Sequence, residues 1–235
     1  MRRGISLCLT VGWICILASG SLAQTTPTRE SGPSLRFTIY IRNYAHVEEG
    51  TLIQAERVAA EIFRKIGVET SWAIMGPEVA PSTLLDPTAI ELLILPRVMA
   101  ERLGLPDRIF GIVPGTDREL SRRKVYVFYD EAERLAQEQI RAWARGHICR
   151  YPQLSQILGY AIAHEFGHVF LGLGSHAPIG IMRAKWDRKD LYDIVTRHLL
   201  FTHEQAGQIR ADVALRNQEQ TALGISAPNS PQWAR

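Results

Sequence analysis

Residues 154–171 run Leu-Ser-Gln-Ile-Leu-Gly-Tyr-Ala-Ile-Ala-His-Glu-Phe-Gly-His-Val-Phe-Leu, a helical stretch that is apolar nearly all round. Leu158, Ile162, Phe166 and Val169 fall on one side, and Ile157, Ala161 and Leu171 on the other. A helix without a polar face has to be enclosed by other elements, so this segment belongs at the centre of a layered domain. Its ionisable groups, apart from Tyr160, are His164, Glu165 and His168. Burying a carboxylate without a partner is costly, so the cluster calls for a compensating cation.

The spacing says which cation. His164 and His168 are four residues apart, hence on one helical face, where their imidazoles can converge on a single ion. Glu165 lies beside that face, within reach of a water on the ion without displacing it. With 7 His and 16 Glu in 235 residues, a His-Glu-x-x-His pattern is expected by chance only about 0.014 times. A catalytic zinc keeps three protein ligands, and Gly172 and Gly174 let the chain leave the helix sharply and return. His176 is therefore the expected third ligand, with Glu204 the alternative and His203 or Asp190 behind it. His46, His147 and His198 have no such context. Two further glycines, Gly159 and Gly167, weaken the helix and imply either close packing or approach of a substrate.

Upstream, strand and helix patterns alternate. Leu35 to Tyr44 has strand periodicity, and Glu48 to Ile66 has helical spacing ending at Gly67. Val68 to Ile74, Ile90 to Leu95, Ile109 to Val113 and Lys124 to Tyr129 read as further strands. Asp130 is the expected cap of a helix running to about Ala144, and a last helix begins near Thr202. The expected fold class is α/β: a mixed, mainly parallel twisted sheet of about five strands covered by helices, with helix 154–171 followed by a helical C-terminal part.

The ends of the chain read differently. Met1-Arg2-Arg3, an apolar run from Ile5 to Leu17 and a small-residue site ending at Ala23 have the three parts of a secretory signal peptide. The apolar run is shorter than the roughly 20 residues a spanning helix needs, so the expectation is cleavage near Ala23, export to the periplasm or beyond, and no stable membrane insertion. Cleavage removes Cys8 and Cys15 together with Arg2 and Arg3, leaving Cys149 as a lone cysteine, expected to be a small buried residue, and lowering a net charge of +3. So small a charge, with no basic stripe interleaved with aromatics, argues against a nucleic-acid partner. The expected organisation is a signal peptide (1–23), a flexible leader (24–34), one domain (35–215) and a disordered tail (216–235).

The segment His164-Glu165-x-x-His168, a glycine turn, His176 and then Gly180-Ile181-Met182-Arg183 resembles the metzincin clan of zinc peptidases, the last four residues looking like its Met-turn. The resemblance covers about 20 residues strictly. It departs from the usual pattern in spacing: Gly172 follows His168 by four residues rather than three, and His176 by eight rather than six. The cysteine-rich second zinc site of archaemetzincins is absent. The resemblance implies a zincin-like fold and an exported metallopeptidase. One zinc ion (Zn2+) would be held by His164, His168 and His176, and peptide or protein substrates would be hydrolysed through a metal-activated water with Glu165 as general base. It also implies edge-strand pairing of the substrate, with Ile109 to Val113 as the candidate strand. Arg183 and Tyr192 are candidates for polarising the substrate carbonyl, and Trp186 for covering the site. The competing reading is an exported binding or scaffold protein with a structural or degenerate zinc site, closed by Glu204 or Asp190.

Overall fold

Alternation along the strands decides how the layers form. A computed structural model describes residues 34–75, 85–105, 108–114 and 123–225. The expected signal peptide, nearly all of the leader and residues 226–235 lie outside the described residues. Strands β1 (Arg36–Asn43), β2 (Glu69–Ile74), β3 (Ala89–Leu95), β4 (Gly111–Ile112) and β5 (Lys124–Phe128) form one sheet in the order β2-β1-β3-β5-β4. All pairings are parallel except β4 with β5, which is antiparallel. The protein is thus a mixed α/β fold with a mostly parallel five-stranded sheet, as its periodicity predicts.

Phe37, Ile39 and Ile41 of β1, Leu92 and Ile94 of β3, and Val125 and Val127 of β5 all point to one face and join the main core. The helices α1 (Glu49–Lys65), α3 (Tyr129–Ala144), α4 (Leu154–Leu171) and α6 (His203–Ala222) bury their apolar residues in that same core. The alternate residues Leu95 and Phe128 form a smaller cluster with Ala100 of α2 (Arg97–Arg102). Elsewhere the far face carries charge: Glu91 accepts from Arg42 at 2.5 Å and lies 3.5 Å from Lys124, one cation on each neighbouring strand. Among the described residues the helical cover is therefore mainly one-sided.

The 154–171 helix has the bounds its pattern predicts, and every residue from Ile157 to Phe170 is buried. It packs against α1, α3 and α6 and against α5 (Arg188–Thr196). A Cβ at Gly159 would sit 2.6 Å from the Ala55 carbonyl oxygen and 2.7 Å from Val58 Cβ, so this glycine serves close packing on α1 rather than substrate approach. No helix of the described residues is long and apolar enough to cross a membrane.

Three expectations need correction. Asp130 lies in the first turn of α3, not at its cap, and its carboxylate accepts the backbone N–H of Arg97 at 2.6 Å, fastening α2 to α3. The helix from Thr202 continues through residues 216–222, expected to be tail, because its last turns are anchored. Asn217 exchanges hydrogen bonds with the backbone of Arg36, and buried Gln220 donates to Asp86 at 2.9 Å. Cys149 is exposed rather than buried, since it falls in the connection between α3 and α4.

Candidate metal centre

The ring nitrogens converge because two backbone features oppose each other. At the end of α4, Gly172 and Gly174 adopt φ of 94° and 78°, conformations that cost a side-chain-bearing residue dearly, and the chain reverses. It then forms a tight turn in which Ala177 N–H donates to the Met182 carbonyl at 2.9 Å and Ile181 N–H to the Leu200 carbonyl at 3.0 Å. The turn passes beneath α4: a Cβ on Gly167 would lie 2.3 Å from Met182 Sδ, so Gly167 exists to admit the fully buried Met182. The wider His168–His176 spacing is absorbed in this reversal, and His176 arrives opposite the two helical histidines.

His164, His168 and His176 each offer a ring nitrogen, and the three nitrogens lie within 4.8 Å of one another. They are the one such group of three potential ligands among the described residues. The Nε2 atoms of His164 and His168 are 3.2 Å apart. Two nitrogens each 2.0–2.1 Å from a tetrahedral ion would be about 3.4 Å apart, so the pair is spaced as zinc ligands are.

The hydrogen bonds orient them. His164 Nδ1 faces the Ile181 carbonyl at 2.7 Å, and a carbonyl can only accept, so Nδ1 carries the proton and Nε2 presents its lone pair to the centre. His168 Nδ1 lies 3.0 Å from Ser175 Oγ, a hydrogen bond that fixes the orientation of that ring. Burial is the main cause that holds both His164 and His168 down to about 4, so the rings are neutral at physiological pH, as metal ligands must be.

Glu165 stands beside this group. It is only 4% exposed and forms no hydrogen bond or ion pair with a described residue, and burial pushes its carboxyl up to about 8. A cation a few ångströms away would reverse that and favour the carboxylate. Three convergent imidazoles, two of them buried and neutral, beside a buried carboxyl without a partner among the described residues fit a divalent metal in donor type, number and charge.

The centre opens into a cleft of about 760 Å³. One wall is β4 and the residues before it; another is the segment after Met182. Phe110 and Trp186 face each other across it with ring centroids 5.2 Å apart. Trp186 also donates its indole N–H to the Ile181 carbonyl at 3.1 Å and meets the His164 ring edge to face, so it lines the cleft beside the three histidines.

The other candidates stand elsewhere. Glu204 and His203 are exposed in the first turn of α6 and line no part of the cleft. Asp190 closes the capping box of α5 and accepts from Arg183 at 2.5 Å, so its carboxylate is engaged. Arg183 lines the cleft but is held by Asp187 as well as Asp190. Tyr192 lines a separate surface cavity with Cys149, His147 and Arg188. Sequence reasoning missed Ser175, although its place one residue before a proposed ligand was a usable signal. It also missed Gly111, whose role depends on a contact between distant segments.

No known family model and no curated protein matches this chain.

Proposed function

We propose that this protein is an exported, zinc-dependent peptidase related in design to the metzincins. The observation that carries the reading is the pairing of three convergent imidazoles with a buried carboxyl that has no partner among the described residues, all opening on one cleft. A purely structural site would have no use for the carboxyl, and neither Glu204 nor Asp190 is placed to serve as a fourth ligand.

His164, His168 and His176 would hold the ion, which when bound supplies Lewis-acid polarisation of the scissile carbonyl and acidifies water. Glu165 accepts the proton from the attacking water and delivers it to the leaving amine. The Ile181 carbonyl keeps His164 in the ligating tautomer, and Ser175 fixes the orientation of the His168 ring. β4 is the edge of the sheet and borders the cleft, so an extended peptide could pair alongside it and lie across the site. Export rests on the residues up to Ala23.

Metal analysis of the purified chain, with digestion of a degenerate peptide mixture read by mass spectrometry, tests the proposal. One zinc per chain and cleavage abolished by a chelator and restored by zinc are expected. Stoichiometric zinc without cleavage would return the reading to a structural site, and absence of metal to a degenerate one.

A further inference from the structure

One carbonyl beside the metal centre serves two side chains. The Ile181 carbonyl faces His164 Nδ1 at 2.7 Å and accepts the indole N–H of Trp186 at 3.1 Å, one donor for each of its lone pairs. Ile181 and Met182 are the central residues of a turn that Arg183 N–H closes by donating to the Gly180 carbonyl at 3.2 Å. The flanks of this turn are held, because Ile181 N–H donates to the Leu200 carbonyl and the Met182 carbonyl accepts from Ala177 N–H. The peptide between Ile181 and Met182 is the part whose rotation separates one turn type from another, and the closing bond does not fix it. Among the described residues its carbonyl accepts from His164 and Trp186 alone, and the first of these is the ring that it has to orient.

Trp186 is better supported than the turn it binds. Its half-buried ring meets Tyr160 and His164, one turn apart on α4, edge to face with centroids 6.5 and 6.0 Å away. Phe110, the residue before Gly111, packs on it at 5.2 Å from the β4 wall of the cleft. The indole is thereby placed by a helix and a strand, and its N–H is aimed at a backbone acceptor.

We propose that Trp186 is a positioning residue for the metal: its N–H sets the direction of the Ile181 carbonyl, that carbonyl sets the ring of His164, and Phe110 braces the indole from β4. The inference rests on the metal-site part of the proposed function and deepens it. It holds for a catalytic and for a structural ion alike. The role requires the N–H and not only the ring, which separates it from lining the cleft or filling space.

Two replacements isolate the N–H. Trp186→Phe keeps an aromatic ring without a donor, and Trp186→benzothienylalanine keeps the shape of the indole with sulfur in place of the N–H. Zinc affinity is read by competition with a calibrated chelator, ligand geometry by the visible absorption of the cobalt-loaded chain, and packing by the melting temperature of the metal-free chain. Both variants are expected to bind zinc about 10-fold more weakly than wild type and to show an altered cobalt spectrum, while the benzothienyl variant melts as wild type does. Phe110→Leu, which leaves the N–H in place, should cause a smaller loss. Wild-type zinc affinity and cobalt spectrum in the benzothienyl variant would overturn the proposal, whatever the phenylalanine variant does. Weakened zinc in both variants with no peptide cleavage by the wild type would uphold the role of Trp186 and overturn the peptidase reading. Cleavage by the wild type with unchanged zinc affinity in both variants would do the reverse, and a wild type that binds neither metal would overturn both.

Discussion

The backbone of β4 rests directly on the side chain of Glu165: a Cβ built on Gly111 would lie 2.6 Å from Glu165 Cγ and 2.8 Å from its Cδ. The same Cβ would be 2.3 Å from the Tyr126 carbonyl oxygen, so the ladder to β5 leaves it no room to retreat. An element at the sheet edge thereby fixes the position of a carboxyl on the central helix.

Gly111→Ala is accordingly expected to push Glu165 aside while leaving the three histidines in place. Displacements of about 1 Å can cost a reaction on the order of 100-fold, so kcat/KM should fall by about that factor with zinc content unchanged. Steady-state kinetics beside metal analysis checks this. Wild-type activity in the alanine variant would show that the contact has no bearing on Glu165.

Ser175 holds His168 rather than any substrate, so its loss should appear in metal binding. Ser175→Ala is expected to weaken zinc about 10- to 100-fold in competition with a calibrated chelator, and Ser175→Thr, which keeps a hydroxyl, to recover most of the loss. Equal affinity in all three proteins would mean that His168 needs no such support.

Much of this architecture was legible because burial leaves a direct mark on sequence. Helix α4 was bounded correctly at both ends, since an apolar run with no polar stripe has few other fates. Four strands stood out by their alternation or their density of Ile, Val and Leu, whereas the expected strand Ile109–Val113 shrinks to Gly111–Ile112, paired only with β5. What escaped were short elements stabilised by distant partners. Helix α2 has six residues and no side-chain cap, and depends on Asp130 from another helix. The nine-residue α5 was signalled only by the capping box of Asp187 and Asp190, which is easily read as a run of surface charge. The extra length of α6 follows from Asn217 and Gln220 reaching residues more than a hundred positions earlier, which no local pattern encodes. His176 was legible from chemistry and from the two glycines, even though its spacing is wider than the pattern it resembles.

Glu56 offers a test of burial away from the metal centre. It is buried on α1, its Oε1 has no hydrogen-bond partner among the described residues, and burial lifts its carboxyl from an ordinary 4.5 to about 7. The folded state thus holds this proton more tightly than the unfolded state, and stability should fall as pH rises from about 4.5 to 7 before levelling off. Glu56→Gln removes that penalty. Denaturant midpoints should show the variant more stable than wild type at pH 8 by about 1–3 kcal/mol, and indistinguishable from it near pH 4. A difference independent of pH would contradict the assignment to Glu56 ionisation.

The central claim is that Glu165 acts as a base beside a metal it does not bind. Zinc-loaded wild type and Glu165→Gln, each with its metal content measured, should be compared on the same degenerate peptide mixture. The account predicts one zinc per chain in both proteins, with cleavage by the wild type and a loss of at least about 100-fold in the variant. Cleavage by the variant at the wild-type rate, or loss of its zinc, would contradict it.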